Sequence, residues 1–356
     1  MQDFIVIGGG MAGTSAAARL ADLGSVTLLE MEDALGYHSS GRSAALFEEN
    51  YGHGATVALN RASAAYLRDG GYLSPRGLML VGAKGDADGF ARDVDALRMA
   101  TLELDEARAM VPILNPDTVG FAAISGAAED IDTDRMLQDF AKALRAAGGQ
   151  TVTKAPVSAI TRTASGWEVT VGGRTYQGRT LVNAAGAWAD QVAVLAGVAA
   201  IGLQPKRRSM ARLPAPGGLD VSGWPMLLGV GETWYAKPDA GKLLVSPADA
   251  DPVEPHDAFA DDMVLAEGLA RYEEMVTEPV TRVESSFAGL RSFVRDGTLV
   301  LGPDPDQPDF IWCAGQGGYG IMTAPAASQL IADLAAGRQP ALDADTVAAL
   351  SPARLR

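Results

Sequence analysis

Three glycines near the start of the chain have a spacing that could bring a ligand close to the backbone. Gly8, Gly10 and Gly13 follow an apolar run in the pattern Gly-x-Gly-x-x-Gly. Gly8 permits a tight turn, Gly10 lets a pyrophosphate approach the backbone, and Gly13 allows a helix to lie close against the strand. Glu30 ends the next apolar run, where its carboxylate can accept hydrogen bonds from an adenosine ribose. The spacing therefore predicts a dinucleotide-binding strand–helix–strand unit over residues 3–30.

A second glycine-rich turn lies at the other end of the chain, over residues 315–320. Nicotinamide dinucleotide sites normally complete their sheet within one contiguous stretch, whereas here residues 3–30 are followed by sequence of another kind. Two such turns far apart suit one long ligand, FAD, better than NAD. The second turn would bring backbone N–H groups and a helix N-terminus to the flavin ring, which gathers negative charge on reduction. An ordinary strand-to-helix connection is the alternative for residues 315–320.

The rest of the chain has to position these two turns. A helix is predicted from Asp132 or Thr133 to about 147, because apolar residues recur along one face and Gly148 follows. Segment 36–46 is rich in small residues and indicates a ligand-contacting loop or a helix start. Further helices are predicted over 53–68, 86–99, 105–110, 261–275 and 323–336. Strands are predicted over 78–81, 151–162, 167–171, 174–184, 208–213, 225–230, 233–237, 242–245, 298–301 and 310–314.

Strand–turn–helix patterns occur at both ends and in the middle of the chain, while residues 200–280 are rich in strands, proline and glycine. The fold is therefore predicted to be α/β (α+β), with a discontinuous Rossmann-like FAD-binding domain and a lid domain built on an antiparallel sheet that binds substrate. The FAD-binding domain is expected to comprise 1–72, 131–200 and 282–356. The lid domain is expected to comprise 73–130 and 201–281.

Composition narrows the partners and the compartment. The 356 residues carry a net charge of −15 and the longest basic run is Lys206-Arg207-Arg208, so nucleic acid is not expected as a partner. Cys313 is the single cysteine, which excludes an intrachain disulfide and a cysteine metal cluster, and three isolated histidines make no metal site. No apolar run approaches the roughly 20 residues that span a bilayer, and the first residues indicate a strand rather than a signal peptide. We expect a cytoplasmic protein, with peripheral attachment to the inner membrane left open.

Five segments carry a family resemblance when taken together: Gly8-x-Gly10-x-x-Gly13, Gly41-Arg42-Ser43-Ala44-Ala45, Val182-Asn183-Ala184-Ala185-Gly186, Gly289-Leu290-Arg291 and Gln316-Gly317-Gly318-Tyr319-Gly320. They resemble the D-amino-acid oxidase and sarcosine oxidase (DAO) superfamily of flavoenzymes, and the resemblance covers residues 1–340. Within this superfamily, other segments resemble the FAD-dependent D-arginine dehydrogenases. These segments are 36–39, 203–209, 224–227, 237–241 and 246–252.

The resemblance implies an FAD-dependent enzyme in which a hydride passes from the Cα of an amino acid to flavin N5 and the imine hydrolyses to a 2-oxo acid. Such chemistry needs a cationic clamp for the substrate's carboxylate, and a guanidinium can meet a carboxylate with two parallel hydrogen bonds. Arg291 and Arg208 match the family's substrate arginines, and Tyr235 and Tyr51 match its two pocket tyrosines, so these four are the expected catalytic residues. His38 lies in a cofactor-binding segment, where we expect a structural hydrogen bond rather than base catalysis.

The resemblance also implies which residues contact FAD. The flavin is expected to be held without a covalent bond, because the only thiol, Cys313, lies in the middle of a strand. The expected cofactor-binding residues are Gly8, Gly10, Ala12, Gly13, Glu30, Met31, Ser39, Gly41, Arg42, Ser43, Ala44, Ala45, Val157, Ala185, Gly186, Trp188, Gly317, Gly318, Tyr319, Gly320, Ile321 and Met322.

The expected substrate pocket departs from that of the D-arginine dehydrogenases. Leu78 replaces the acidic residue that grips the substrate's cationic end in those enzymes, Leu46 replaces a histidine near the flavin, and Glu48 replaces a small hydroxyl residue. A leucine cannot pair with a guanidinium, and an unpaired buried charge costs on the order of several kcal/mol. We therefore expect a D-amino acid with a neutral or apolar side chain, unless Glu48 pairs with a cation from a different wall. The expected pocket residues are Glu48, Leu46, Leu78, Met226, Leu228 and Gly318.

Several alternatives are compatible with the same residues. Glu48 could bind a substrate ammonium, act as a base or point into solvent. A secondary-amine or N-methyl amino-acid (sarcosine-type) oxidase, or a 2-hydroxy-acid dehydrogenase, would use the same flavin and the same clamp. A non-catalytic flavin subunit of a larger complex is a further alternative, which the clamp residues disfavour. Oxygen, a quinone and a redox partner all stay open as the electron acceptor.

Overall fold

The computed structural model describes residues 1–356. In chain order, the strands are β1 Gln2–Ile7, β2 Val26–Leu29, β3 Leu46–Phe47, β4 Leu73–Pro75, β5 Leu78–Ala83, β6 Ala100–Leu102, β7 Val119–Ser125, β8 Glu129–Ile131, β9 Gln150–Val152, β10 Val157–Thr163, β11 Gly166–Val171, β12 Arg174–Asn183, β13 Gln204–Leu213, β14 Met226–Gly229, β15 Tyr235–Asp239, β16 Lys242–Ser246, β17 Ser285–Phe293, β18 Val300–Pro303 and β19 Phe310–Ala314. The helices are α1 Met11–Leu20, α2 Gly54–Asp69, α3 Ala87–Leu97, α4 Leu104–Met110, α5 Thr133–Ala146, α6 Ala189–Leu195, α7 Asp262–Glu274, α8 Ala324–Ala335 and α9 Ala344–Leu350.

The first sheet is mixed and has the strand order β10-β11-β12-β1-β2-β9, with β19 beside β12 and β18 beside β19. β1, β2, β9, β12 and β19 run parallel, as is usual where helices connect the strands. β12 is ten residues long, so its first half pairs with β11 while its last residues pair with β19. Segments from the start, the middle and the end of the chain therefore share one sheet, which confirms the predicted α/β fold class.

Helices α1, α5 and α8 share a core with one face of this sheet, and α6 lies on the opposite face. α5 shows why these helices form where they do. Asp132 caps it by accepting a hydrogen bond from the Arg135 N–H at 3.1 Å, and Gly148 follows its end with a φ of +82°. Apolar residues such as Phe140 and Leu144, four positions apart, are buried against the sheet.

The second sheet has the order β17-β13-β16-β15-β14-β5-β7-β6 and is antiparallel except between β14 and β5. Because side chains alternate along a strand, the sheet has two distinct faces. One face forms a core with α4 and α7, in which Trp234 lies edge-on to Tyr272. The other face contacts the segment Ala44–Leu46 and forms the floor of a cavity. A small third sheet, β3-β8-β4, lies beside it.

The structure differs from the predicted elements in several places, including strands β3, β4, β6, β7 and β8, which were not predicted. β13 begins at Gln204 rather than at 208, because β17 pairs with it from Gln204 to Arg212. β17 belongs to the second sheet, although the predicted division assigns residues from 282 to the FAD-binding domain. α9 was not predicted. None of the helices combines the length and the apolar character needed to cross a bilayer.

Candidate active site

The first glycine turn leaves no room for side chains at two of its three positions. Gly8 has a φ of +106°, and a Cβ there would lie 2.3 Å from the Ala184 carbonyl oxygen at the end of β12. A Cβ on Gly13 would lie 1.9 Å from the Gly8 carbonyl oxygen. At Gly10 the only atom within 4 Å of an added Cβ is Ser40 Oγ, at 3.2 Å. Glycine at 8 and 13 thus builds the turn, whereas glycine at 10 leaves open space in front of α1.

The N-terminus of α1 is suited to an anion. Its capping residue, Gly10, makes no side-chain hydrogen bond, and the Met11 N–H donates to Ser40 Oγ at 2.9 Å. First-turn N–H groups have no acceptor within their own helix. The N–H groups of Ala12 and Gly13 and the partial positive charge of the helix are therefore available to a phosphate beside Gly10.

Glu30 is fixed at the wall of the same space. It is buried, with 7% of its surface exposed. One carboxylate oxygen accepts from the Gly9 N–H at 2.5 Å, and the other accepts from the Glu32 N–H at 2.8 Å. The carboxylate is thus held where the sequence predicts the ribose of a dinucleotide.

The glycine turn opens into a cavity, which we name the cofactor cavity. His38 lies on its wall with Nε2 2.9 Å from Glu32 Oε1 and its ring centroid 4.7 Å from that of Trp188. These contacts give His38 the structural role that the sequence indicates. The predicted cofactor-binding residues that line this cavity are Gly8, Gly10, Glu30, Met31, Ser39, Val157, Ala185, Gly186 and Trp188.

A second cavity, the substrate cavity, lies between segment 43–46, the turn after β19 and the floor of the second sheet. Its wall brings together most of the remaining predicted residues. It is lined by Ser43, Ala44, Ala45, Leu46, Glu48, Tyr51, Leu78, Met226, Leu228, Glu232, Tyr235, Arg291, Gly318, Ile321 and Met322. Glu232 is the one member of this set that the sequence did not single out.

Several predicted residues line neither cavity but shape the segments that do. They are Ala12, Gly13, Gly41, Arg42, Arg208, Gly317, Tyr319 and Gly320. The Gly41 N–H donates to the Gly36 carbonyl at 2.7 Å and closes a backbone turn, whereas the Gly317 N–H donates to the Ser292 carbonyl at 2.9 Å and attaches the second glycine turn to β17. The ring of Tyr319 lies 5.4 Å from that of Tyr51 and supports it from behind.

Arg42 joins the segment before β3 to the second sheet. Its Nη1 donates to the Ala258 carbonyl at 2.8 Å and to the Ala288 carbonyl at 3.1 Å, while Nη2 donates to Asp257 at 2.6 Å. Its guanidinium is therefore already occupied by protein groups. Arg42 fixes the position of Ser43, which does line the substrate cavity.

The register of β13 and β17 puts two arginines on one face. Arg208 lies directly opposite Gly289, and Arg291 is two residues further along β17. Residues directly opposite one another share a face, as do residues two apart on one strand. Arg208 and Arg291 are therefore diagonal neighbours on the face of the second sheet that forms the floor, and of the two only Arg291 lines the substrate cavity.

The same floor becomes apolar towards the centre of the sheet. Tyr235 on β15 lies opposite Leu228 on β14, and Met226 lies opposite Leu78 on β5. Arg208 approaches Tyr235, with its guanidinium carbon 5.9 Å from the ring centroid. The floor thus runs from a cationic end through a tyrosine to a patch of leucine and methionine.

Arg291 keeps its charge in this setting. Burial alone would lower its pKa, but the oxygens of Tyr235, Tyr51 and Glu232 outweigh burial and raise the pKa above that of a free arginine. Gly318 allows the second glycine turn to pass close by, since a Cβ there would lie 3.0 Å from Arg291 Nη1. A permanent cation thus faces the cavity where the clamp is predicted.

Tyr51 stays protonated, because burial, reinforced by the charge of Glu232, raises the pKa of its hydroxyl. The hydroxyl is therefore a donor, and it donates to Glu232 Oε2 at 3.1 Å. Tyr235 is also buried, with 3% of its surface exposed. Both tyrosines lie on the wall with Arg291, so three of the four expected catalytic residues reach the cavity directly.

Glu48 is buried rather than solvent-exposed, with 4% of its surface accessible. Oε2 accepts from the Ser125 hydroxyl at 2.6 Å, and Oε1 accepts from the backbone and side-chain N–H groups of Asn50 at 3.2 Å. Ser125 lies opposite Leu78 on the floor. Glu48 therefore stands at the apolar end of the cavity, away from the arginines, and no lysine or arginine pairs with it.

Lys237 is a functional candidate that the sequence did not reveal. It is 9% exposed, its Nζ donates to the Ala45 carbonyl at 2.8 Å, and it lies 2.9 Å from Asp130 Oδ1. Arg76 binds the other oxygen of Asp130 at 2.8 Å. Lys237 thus fixes segment 43–45 from the floor, and only the pairing of distant strands makes this visible.

The two cavities fit a flavin dinucleotide. The open space at Gly10 and the uncapped start of α1 suit a pyrophosphate, and Glu30 stands beside it. At the far end, Ile321 and Met322 line the substrate cavity just before α8. The start of a second helix therefore adjoins the place predicted for the ring.

Fold and site together define a class: a dinucleotide site on a mixed sheet that adjoins a cationic pocket on an antiparallel sheet. The sequence model of the DAO family, described as FAD dependent oxidoreductase, matches residues 3–334. The chain therefore belongs to the DAO family of FAD-dependent oxidoreductases, and its cofactor is FAD.

Solved structures share this fold over nearly the whole chain. Glycine oxidase from Geobacillus kaustophilus has a TM-score of 0.83 at 22% sequence identity, covering 98% of each chain. L-proline dehydrogenase from P. horikoshii has a TM-score of 0.83 at 19% identity, covering 99% of this chain and 97% of the other. L-amino acid deaminase from Proteus myxofaciens, in complex with anthranilate, has a TM-score of 0.79 at 16% identity, covering 100% and 94%. At these identities the likeness is one of fold.

Proposed function

We propose that the chain is an FAD-dependent D-amino-acid dehydrogenase or oxidase that acts on the CH–NH2 group of a D-amino acid with a neutral or apolar side chain. One observation carries the proposal. Arg291, Tyr235 and Tyr51 meet in a cavity that is otherwise mostly apolar and that is bounded by the segments 43–45 and 318–322. Structural neighbours named for glycine, proline and L-amino acids support an amino-acid substrate.

The clamp binds and orients the substrate's carboxylate. Arg291 offers a planar fork of N–H donors, and the hydroxyls of Tyr51 and Tyr235 add further donors at the same end of the cavity. Arg208 lies beside Arg291 on the same face of the sheet. Fixing the carboxylate at one end orients the Cα–H bond, which is the main requirement of a reaction without a protein nucleophile.

FAD would be held by Gly8, Gly10 and Glu30 at its nucleotide end and by segments 43–45 and 318–322 at its ring end, and when bound it supplies the acceptor for the substrate's hydride. The chain's own residues exclude water from this step, since Leu228 and Leu78 are buried with 8% and 3% exposed. No protein thiol reaches either cavity wall, which supports a non-covalent flavin.

The side chain of the substrate would extend over the apolar floor. Leu78, Met226 and Leu228 offer only hydrocarbon and thioether atoms, which favour an uncharged side chain. The D configuration rests on the resemblance of segments 203–209 and 224–227 to the D-arginine dehydrogenases. We likewise propose that the first sheet carries the FAD-binding part and the second sheet the substrate-binding part.

A second candidate is a D-amino acid whose long side chain ends in a cation, and Glu48 favours it. Glu48 is a buried carboxylate at the apolar end of the cavity without a cationic partner. An extended side chain anchored at Arg291 would cross Met226 and Leu78 before it met Glu48. A terminal ammonium or guanidinium there would provide the missing counter-charge.

Anaerobic reduction of the flavin tests the proposal. We expect D-leucine, D-methionine or D-phenylalanine to bleach the holoprotein, while their L-forms, sarcosine and 2-hydroxy acids do not. Bleaching by D-arginine and D-lysine alone would show that the neutral side chain is wrong and the second candidate right. Glu48→Gln separates the two, because it should abolish bleaching by the cationic substrates and spare that by D-leucine. A colourless protein after reconstitution with FAD, or a yellow one that no substrate bleaches, would contradict the proposed function itself.

A further inference from the structure

The groups assigned to the substrate's carboxylate already hold a carboxylate. Arg208 Nη1 donates to Glu232 Oε1 at 2.9 Å, and Arg291 Nη1 lies 3.4 Å from the same oxygen. The Tyr51 hydroxyl donates to the other oxygen, Oε2, at 3.1 Å. Glu232 therefore receives its contacts from three of the four residues expected to bind substrate.

We propose that Glu232 is an internal competitor for the substrate's carboxylate: it fills the clamp when no substrate is bound and has to move out before an amino acid can bind. This inference rests on the proposed function, because it takes Arg291, Arg208 and Tyr51 as the carboxylate site. It makes Glu232 a specificity-determining residue. A ligand gains from the clamp only if its own carboxylate binds better than the one it displaces.

Charge favours this exchange. Two carboxylates within one clamp repel one another and compete for the same N–H and O–H donors. Burial alone would raise the pKa of Glu232, but the charges of Arg291 and Arg208 and the hydrogen bonds from Arg208 and Tyr51 outweigh it and lower the pKa. At neutral pH Glu232 is therefore an anion and matches the charge of a substrate carboxylate.

The position of Glu232 in the chain allows it to leave. It ends the 3-10 turn Val230–Glu232, which connects β14 to β15, and its side chain is 32% exposed. Gly231 and Glu232 have φ values of +67° and +54°, so a glutamate adopts a left-handed backbone that side chains disfavour. A single backbone change in this short turn would both relieve that strain and withdraw the Glu232 carboxylate from the arginines. The Asp93 carboxylate, which accepts from the Gly231 N–H at 2.7 Å, fixes the base of the turn on α3.

Binding of benzoate to the holoprotein tests the proposal, with the flavin absorbance spectrum as the readout. Benzoate has the carboxylate that the clamp recognises but no Cα–H bond to oxidise. Glu232→Gln removes the competing charge and keeps the size of the side chain, so we expect benzoate to bind about tenfold more tightly. Glu232→Asp keeps the charge but retracts it by one methylene, and it should also tighten binding.

Glu49→Gln is the matched control, because it removes a negative charge from the same segment of the chain, where Glu49 pairs with Arg68, but lines neither cavity and touches neither arginine of the clamp. Its effect on benzoate affinity should stay within about twofold. Equal tightening in the two glutamine variants would mean a general electrostatic effect and would overturn the competitor. Unchanged or weaker binding in Glu232→Gln would overturn it as well, since Glu232 would then support the clamp rather than block it.

Arg291→Met distinguishes failure of the competitor from failure of the proposed function. If Arg291→Met abolishes benzoate binding and Glu232→Gln does not tighten it, the carboxylate clamp is supported and the competitor role of Glu232 is wrong. If benzoate fails to bind any variant, or binds Arg291→Met as well as the unaltered protein, both the clamp and the competitor role are wrong. Thermal melts of each holoprotein identify a variant that has lost its fold, and Glu232→Asp then replaces Glu232→Gln.

Discussion

Arg291 combines three properties that a surface arginine lacks. Its neighbours raise its pKa, so it is charged at every accessible pH. Its position on β17 faces the cavity rather than solvent, with 24% of the side chain exposed. Its protein partner is a carboxylate with an exposed route out, Glu232. Only the planar fork of a guanidinium can offer two parallel donors at this point.

Arg291→Lys should therefore lower kcat/KM for an amino acid by about ten- to a hundredfold, because a lysine retains the charge but loses the second donor. The loss should fall mainly on KM if the fork serves only to bind. Arg212→Lys is the matched control, since Arg212 lies on β13 and pairs with Asp239 at the protein surface. Steady-state kinetics of the two variants give the comparison. Equal kcat/KM in Arg291→Lys and the unaltered protein would remove Arg291 from the clamp.

Cys313 should be unreactive in the folded protein. Burial raises the pKa of its thiol to about 12. Since the thiolate is the reactive form, the thiol stays protonated and inert throughout the neutral and mildly alkaline range. We expect no alkylation by iodoacetamide at pH 8 in the native state and complete alkylation in guanidinium chloride, followed by mass spectrometry. Native alkylation would contradict the burial of Cys313, and flavin that stays with the unfolded chain would contradict the non-covalent flavin.

At the scale of elements, the first glycine turn was predictable because its determinants are local. Gly8, Gly10, Gly13 and Glu30 all lie within one strand–helix–strand unit, so spacing alone specifies their arrangement. The clamp was predictable only through family resemblance, since β13 and β17 are far apart in the chain and their pairing creates it. The sequence did not indicate Glu232 as a site residue, because no motif surrounds it. Its role depends on a left-handed turn and on arginines from two other strands.

Gly10→Ala tests the glycine turn without disturbing the fold. An added Cβ at position 10 meets only the movable Ser40 Oγ, at 3.2 Å. It would nevertheless occupy the space that the pyrophosphate needs beside α1. We expect at least a tenfold weaker affinity for FAD, with the melting temperature of the FAD-free protein nearly unchanged. Gly85→Ala is the control, because nothing lies within 4 Å of its added Cβ. Full flavin content in Gly10→Ala would show that the pyrophosphate lies elsewhere.

At the scale of the molecule, two sheets with separate cores have to hold one reaction site between them. Segment 36–48 connects the two parts of the site, because its residues line both cavities. Arg42 attaches this segment to the backbone around 258 and 288, and Lys237 attaches it to β15. The sequence predicts the small residues of the segment as a ligand contact. It does not predict these attachments, because they join residues about 200 positions apart.

Lys237→Met should therefore weaken the attachment of segment 36–48 to the second sheet. The substitution leaves the Ala45 carbonyl without its donor and leaves half-buried Asp130 with Arg76 as its remaining cationic partner. Removing the buried Lys237 ammonium from this network costs on the order of 2–4 kcal/mol in the free energy of unfolding. Because Ala45 lies at the cavity wall, flavin affinity should fall with it. Lys242→Met breaks the surface pair between Lys242, on neighbouring β16, and Glu284, and should cost much less. Urea denaturation and FAD titration of both variants decide the matter, and equal losses would mean that Lys237 is no more than another charged side chain of the second sheet.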